Sequence, residues 1–202
     1  IITSKLSFNM LVPDAVDAKF LHLFTGNETR YRVELWNIDD STGIDVETLY
    51  WQGFLLPEMY REPYENGCFF VEFTATDRLS IMKDLFLGSW YYSAELPVSE
   101  VLAVLLKSTG LVQNLLIDPS LVPISAGYDF RNVTVNLKPY WNDGSLTSCY
   151  AVLEDILKSL GLSVMCFRGL WICQGMTKRH NTVATFYEFD TAGKSIGLRN
   201  YT

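Results

Sequence analysis

The sequence predicts an α+β protein. A β-barrel-like antiparallel sheet is expected over residues 1–77, followed over residues 78–202 by a mixed helix-and-hairpin α/β portion. Three observations carry this expectation. Apolar and polar residues alternate with period two through much of the first half, most cleanly from Phe69 to Thr76. Two amphipathic stretches follow, Val98–Ser108 and Ser148–Leu160, each closed by a glycine. Two apolar runs then flank Arg168-Gly169, the pattern of a β-hairpin. One interleaved unit is the alternative to a division near Asp77.

The elements are expected in this order. Leu6, Phe8, Met10 and Val12 alternate and form a strand that Pro13-Asp14 ends. Ala15–Phe24 has helical spacing, with Gly26 placed to stop it. Tyr31, Val33 and Leu35 alternate with Arg30, Arg32 and Glu34 and form a half-buried strand; Asp39–Gly43 is a turn cluster. Leu49–Leu56 is a strand in which Gly53 marks a bulge, and Pro57–Gly67 is a polar connection. After the Phe69–Thr76 strand, Leu79–Leu85 makes one or two helical turns. The helix from Val98 starts near Pro97 or Ser99 and ends before Gly110. Leu115–Tyr128, with two prolines, is expected to be irregular. A short strand fits Val133, Val135 and Leu137. The second helix takes Thr147 or Ser148 as its N-cap and stops at Gly161. Strands are expected at Leu162–Phe167, Leu170–Gln174 and Val183–Phe189, and Thr191–Gly197 reads as a loop.

Both helices end Leu-Lys-Ser-x-Gly-Leu. Two glycine-capped amphipathic helices look alike for that reason alone; an internal duplication is the other reading.

Composition narrows the function. A chain of 202 residues that is 49% hydrophobic has enough apolar material for a core. A net charge of −7 and a pI near 4.8 argue against a surface that tracks phosphates, so no nucleic-acid partner is expected. The one basic cluster, Lys178-Arg179-His180, has the look of a solvated turn. No apolar run approaches the roughly 20 residues that span a bilayer. The chain begins at Ile1, which suggests a piece of a longer product.

Cys68, Cys149, Cys166 and Cys173 contain no CxxC pair, and there are two histidines, so no metal site is expected. All four cysteines sit in apolar surroundings and read as small buried hydrophobes in a reducing compartment. Cys166 and Cys173 flank the hairpin turn, and a bond between them is left open. The sequons at Asn27, Asn132 and Asn200 are taken as incidental.

A nucleophile activated by histidine needs His22 or His180; the first lies in the short apolar helix and the second in the basic turn. No GxSxG, phosphate loop or HExxH occurs. Asp39-Asp40, Glu154-Asp155 and the acids Glu58, Glu62 and Glu65 read as turn and surface residues. No catalytic residue and no cofactor are therefore expected. Asp77 ends the cleanest strand just before a helical turn, which suits an N-cap; Asp77→Ala would then cost about 1 kcal/mol.

Several segments together resemble a family. Leu49-Tyr-Trp-Gln-Gly-Phe-Leu-Leu-Pro-Glu58 resembles an aromatic-Gly strand entering a proline loop in prophage tail proteins, and the loop ends in Glu62-Pro-Tyr64. Val71-Glu-Phe-Thr-Ala-Thr-Asp-Arg-Leu79 resembles their strand-then-helix signature, with Arg78 where the pattern has Gly. Ser148–Lys158 followed by Leu170-Trp-Ile-Cys173 is similar to their later helix–hairpin unit. The resemblance covers Lys5 to Gly193 and lies in the order of segments; it is to phage and prophage tail proteins of the baseplate-hub type, those of Bacteroidetes-type genomes in particular.

The resemblance implies a structural protein near the tail tip. It implies β-barrel domains with inserted α/β elements, self-association with a trimer favoured, and contacts with other tail proteins linking tube to spike or fibre. It places the protein in the virion tail, and in the bacterial cytoplasm during assembly. Such a protein needs large complementary surfaces. Trp90, Tyr91 and Tyr92 become interface candidates, with burial in the core as the alternative reading. A secreted or cell-surface carbohydrate-binding module is the second functional expectation, because aromatics and acids share several loops.

Overall fold

A computed structural model describes residues 1–12, 20–23, 25–39, 46–56, 68–88, 91, 95–118, 130–142, 145–176 and 184–201. The fold is α+β, and the chain divides into two compact units. One is Thr3–Arg78; the other is Leu79–Thr202 together with Ile1–Ile2.

The first unit is a four-stranded antiparallel sheet that curls into a half-barrel. Its strands are β1 (Lys5–Val12), β2 (Arg32–Asp39), β3 (Val46–Leu55) and β4 (Phe69–Thr76), in the spatial order β1-β4-β3-β2. The period-two alternation sets the register. Phe8 lies opposite Phe73, Met10 opposite Val71 and Val12 opposite Phe69, so one face is apolar throughout. Val12, Leu55, Phe69, Val71 and Phe73 form the core of this unit. The Phe8 and Phe73 rings stack at 5.5 Å, and Phe20 meets Phe73 edge-on at 5.3 Å. The helical spacing expected over Ala15–Phe24 resolves to a short 3-10 turn, Leu21–Leu23, within the described residues.

Gly53 has a steric role rather than the expected bulge. A Cβ there would lie 2.5 Å from the Thr76 carbonyl oxygen and would also meet the Trp51 ring. The register shift between β2 and β3 falls instead between Leu35 and Trp36. Both strands also run further than the alternation marks, to Asp39 and from Val46.

The second unit opens with a 3-10 turn, Leu79–Lys83. It continues with β5 (Glu95–Pro97), α1 (Val98–Lys107), β6 (Asn114–Ile117), β7 (Thr134–Asn136), β8 (Trp141–Asn142) and β9 (Ser145–Leu146). Then come α2 (Cys149–Ser159), β10 (Leu162–Phe167), β11 (Leu170–Gly175), β12 (Ala184–Phe189) and β13 (Ser195–Tyr201). Five strands form one sheet in the order β10-β11-β6-β12-β13, and α1 and α2 pack on one another.

The helices follow their stop signals. Ser148 caps α2, its hydroxyl accepting from the Ala151 amide at 3.3 Å, while Pro97 starts α1 without a side-chain cap. Gly110 and Gly161 both take positive φ after the helix ends. Arg168 and Gly169 have φ of 49° and 68°, the two left-handed residues of a type I′ turn joining β10 to β11.

Two expectations are corrected. The first residues of the stretch expected to be irregular, Leu115–Ile117, belong to β6, the central strand. It pairs in parallel with β11 and antiparallel with β12. Leu115, Leu116 and Ile117 are all buried, so both faces are covered and no alternation marks the strand. The stretch read as a loop, Thr191–Gly197, is a turn only as far as Lys194 and then enters β13, an edge strand exposed on both faces, whose sequence carries no core-facing stripe.

The turn between β12 and β13 is built on Asp190. Its Oδ1 accepts from the Lys194 and Ala192 amides, each at 2.9 Å, and these bonds hold its carboxyl below the ordinary range. Gly193 in this turn is buried against the first turn of α1. A Cβ on it would sit 2.5 Å from the Glu100 nitrogen and 2.6 Å from the Ser99 carbonyl carbon.

No disulfide joins Cys166 and Cys173. Cys166 lies opposite Trp171 and Cys173 opposite Val164, so the hairpin does not align the two cysteines directly. Burial pushes the Cys173 thiol from its ordinary 9.0 up to about 12. A thiol with a raised native pKa stabilises the fold fully below its unfolded pKa. That contribution is lost as pH rises from about 9 towards about 12, because the unfolded chain releases the proton first. Stability of the Cys173→Ala variant should therefore fall less steeply over that interval than that of the natural chain. Parallel slopes in pH-resolved denaturation would remove this role from Cys173.

Candidate functional site

Two places stand out. The first is the distal half of the β2–β3 hairpin. Among the described residues, β4 pairs with β3 only at Phe54 and Leu55, so the ribbon beyond Trp51 is two strands wide. Arg32, Glu34, Trp36 and Ile38 occupy alternate positions on β2 and share one face. Glu34 is held between two neighbours: Arg32 at 2.7 Å, and the Trp36 indole, which donates to it at 3.1 Å. These contacts lie in solvent and contribute little to stability. They do orient the Trp36 ring.

The ribbon is apolar where a free hairpin would be polar. Leu35, Trp36, Ile38 and Tyr50 are all exposed, Ile38 to 60%. Single exposed apolar residues are ordinary, but Trp36 and Ile38 on one face of a two-stranded ribbon, with Leu35 on the other, leave apolar surface of the kind that marks a contact region. A two-stranded hairpin is also marginal in water on its own, and a third strand or a covering layer stabilises it. A second exposed apolar pair, Leu11 and Phe70, sits directly across the β1–β4 ladder.

The second place is Asp77, fully buried at the end of β4. Its Oδ2 accepts from the Ser4 amide at 2.6 Å and from the Ser4 hydroxyl at 2.7 Å. The Trp51 indole donates to the same hydroxyl at 2.9 Å. The Ser4 carbonyl accepts from the Asp77 amide at 3.2 Å and from the Thr76 hydroxyl at 3.4 Å. Arg78 follows with a φ of 60°. The left-handed turn that glycine makes easily is thus made here by arginine, at a cost of about 1–2 kcal/mol. The Arg78 guanidinium is tied to Glu28 at 3.3 Å and lies 5.7 Å from the centre of the Phe54 ring. Both contacts hold the side chain that this backbone conformation projects.

The geometry gives Asp77 a long-range partner, beyond the local cap expected from its place in the chain. Removing the carboxylate would leave the Ser4 amide without that acceptor in a partly buried site. Asp77→Ala is expected to cost about 2 kcal/mol, more than a lost cap alone. An unfolding midpoint unchanged from the natural chain would rule out this contribution.

The other expected residues are dispersed. Trp90 and Tyr92 lie outside the described residues; Tyr91 is half-buried, its amide donating to the Gly88 carbonyl at 3.1 Å. His22 is exposed, its ring 6.1 Å from that of Tyr31, and His180 lies outside the described residues. Glu154 pairs with Lys158 along α2 at 3.2 Å. Glu58, Glu62, Glu65 and Asp40 lie outside the described residues. Among the described residues, no group of three or more His, Cys, Asp or Glu side chains could hold a metal ion, and no helix is long and apolar enough to cross a membrane. No family model, no curated protein and no solved structure matches the chain.

The ribbon was not singled out by sequence reasoning. Its alternation, Tyr31-Val33-Leu35 against Arg30-Arg32-Glu34, describes a half-buried strand. The signal available was the next stretch, Leu35-Trp-Asn-Ile38, where apolar residues fall on both faces and no single core can take them.

Proposed function

We propose that this protein is a structural assembly component of a phage-like tail, of the baseplate-hub type that links tube to tip. The observation that carries this reading is the exposed apolar ribbon of Leu35, Trp36, Ile38 and Tyr50 on β2 and β3. An assembly protein works through extended complementary surfaces, and an exposed apolar β ribbon is suited to meeting a neighbour's sheet. The half-barrel supports the same reading, since its other edge strand, β1, offers one further surface. The order of segments in the sequence adds the tail context. On this reading the chain self-associates, with a closed trimer favoured, and acts in the virion tail.

The test is the mass of the full-length product by light scattering over a wide concentration range, for the natural chain and for Trp36→Glu/Ile38→Glu. A closed ring that the double variant dissociates, with circular dichroism unchanged, supports the reading. A strict monomer, alone and with the neighbouring tail proteins, overturns it.

A carbohydrate-binding module is the second reading. It rests on the exposed Trp36 ring, oriented by its bond to Glu34, since an exposed, fixed indole can stack on a sugar face. Glycan binding that is lost in Trp36→Ala, by a chain that stays monomeric, would favour it.

A further inference from the structure

β13 is the last strand of the five-stranded sheet and pairs, among the described residues, with β12 alone. Its outer edge is a row of backbone amides and carbonyls that can take another strand. Proteins guard such edges with Lys, Pro or acidic residues. Ser195–Tyr201 contains none of these, and its single charge is Arg199. Leu198, in the middle of the strand, is 66% exposed.

The face that carries Arg199 is asymmetric in charge. Gly197 lies directly across from Glu188 on β12, and Arg199 across from Phe186. Glu188 Oε1 accepts from the Asn114 amide group at 3.1 Å and from Arg199 at 3.0 Å. Its Oε2 has no partner among the described residues. A Cβ on Gly197 would meet nothing within 4 Å, so the space beside Glu188 on the β13 side is open.

We propose that β13 pairs antiparallel with β13 of a second copy of this chain, about a two-fold axis at Leu198. In that register Leu198 meets its own counterpart, and Arg199 stands across from the partner's Gly197. Glu188 of the partner lies one strand further on, about 10 Å from Arg199 at the spacing of neighbouring strands. Two long side chains span that distance, and the missing side chain at Gly197 leaves the way clear. Each Glu188 then takes its own Arg199 on Oε1 and the partner's on Oε2, so two acids and two guanidinium groups balance across the axis. A two-fold contact needs this self-complementarity. A chain with a net charge of −7 also needs a meeting strand free of acids, which β13 is. The contact is independent of the tail reading, since a two-fold pairs two single chains or two closed rings alike.

The experiment has two parts, both on the full chain. Leu198→Cys and Asn200→Cys are each made in a Cys68→Ser background, because Cys68 is exposed, and are oxidised mildly. The two Leu198 positions face each other, within the roughly 4.4–6.8 Å between Cα atoms that a disulfide spans. The two Asn200 positions are about 13 Å apart along the strands. Leu198→Cys is expected to give a covalent dimer on a denaturing gel, and Asn200→Cys to stay monomeric. Sedimentation then compares the natural chain with Leu198→Lys and Arg199→Glu, both at exposed positions and with circular dichroism as the check on folding. Each should weaken dimerisation by about tenfold or more. Trp36→Glu/Ile38→Glu should leave the dimer intact, which separates failure of the ribbon reading from failure of this one. Equal crosslinking of the two cysteine variants, or a folded Leu198→Lys with unchanged mass, would overturn the proposal. A natural chain that stays monomeric at every concentration would overturn it too, and would leave this edge to a strand from a different protein.

Discussion

Gly193→Ala should lower the stability of the second unit by about 4 kcal/mol. Two penalties combine. Gly193 has a φ of 81°, which a residue with a Cβ adopts at a cost of about 1–2 kcal/mol. The new methyl would also be driven into the backbone of Ser99 and Glu100, with 2.5 Å to the Glu100 nitrogen. Backbone in the first turn of a helix cannot rotate away as a long side chain does, so the Asp190 turn or α1 must shift. The control is Gly161→Ala, at a φ of 67° with nothing within 4 Å. It carries the conformational penalty alone and should cost about 1 kcal/mol. Denaturation curves for the two variants separate the terms. Equal losses would mean that the approach of the turn to α1 contributes nothing.

Gly53→Ala should destabilise the first unit by about 3 kcal/mol. Here no left-handed backbone is involved, and the cost is steric. The added methyl meets the Thr76 carbonyl at 2.5 Å and the Trp51 ring, where the end of β3 joins β4. Trp51 is itself held by its bond to Ser4, so it cannot swing aside without breaking that contact. Gly26→Ala, with nothing within 4 Å, is the control in the same unit and should be near neutral. If Gly53→Ala unfolded at the same denaturant concentration as Gly26→Ala, β3 and β4 would not approach this closely.

Legibility in the sequence followed the physical source of each element. Phe69–Thr76 alternates because one face of β4 meets the core and the other largely does not. Leu162–Phe167 and Leu170–Gly175 were marked by the Arg168-Gly169 turn, and the helices by Ser148, Gly110 and Gly161. β6 was hidden because Leu115, Leu116 and Ile117 are buried on both faces, which leaves no period to read. β13 was hidden for the opposite reason, since neither of its faces enters a core.

The candidate sites divide in the same way. Asp77 attracted notice from its place at the end of a strand, but its partner Ser4 lies far away in sequence, and no local pattern names it. The ribbon is the converse case. Its exposed residues are ordinary strand formers, and it is the pairing of the described residues, two strands wide beyond Trp51, that leaves them facing solvent.

The parallel pairing of β6 with β11 has a consequence for biosynthesis. The β10–β11 hairpin is local and can close in about 1–10 μs once both strands exist. β6 precedes it by the length of α2 and the segments around it, and no hairpin can bring a parallel partner to its side. At translation rates of roughly 5–20 residues per second, Leu115, Leu116 and Ile117 leave the ribosome some seconds before Leu170–Cys173 are made. During that interval the nascent chain carries the middle strand of its sheet with no partner on the β11 side, and β12 is later still. The period of greatest exposure to aggregation is therefore set by the order of synthesis, and it ends only when the last third of the chain has emerged.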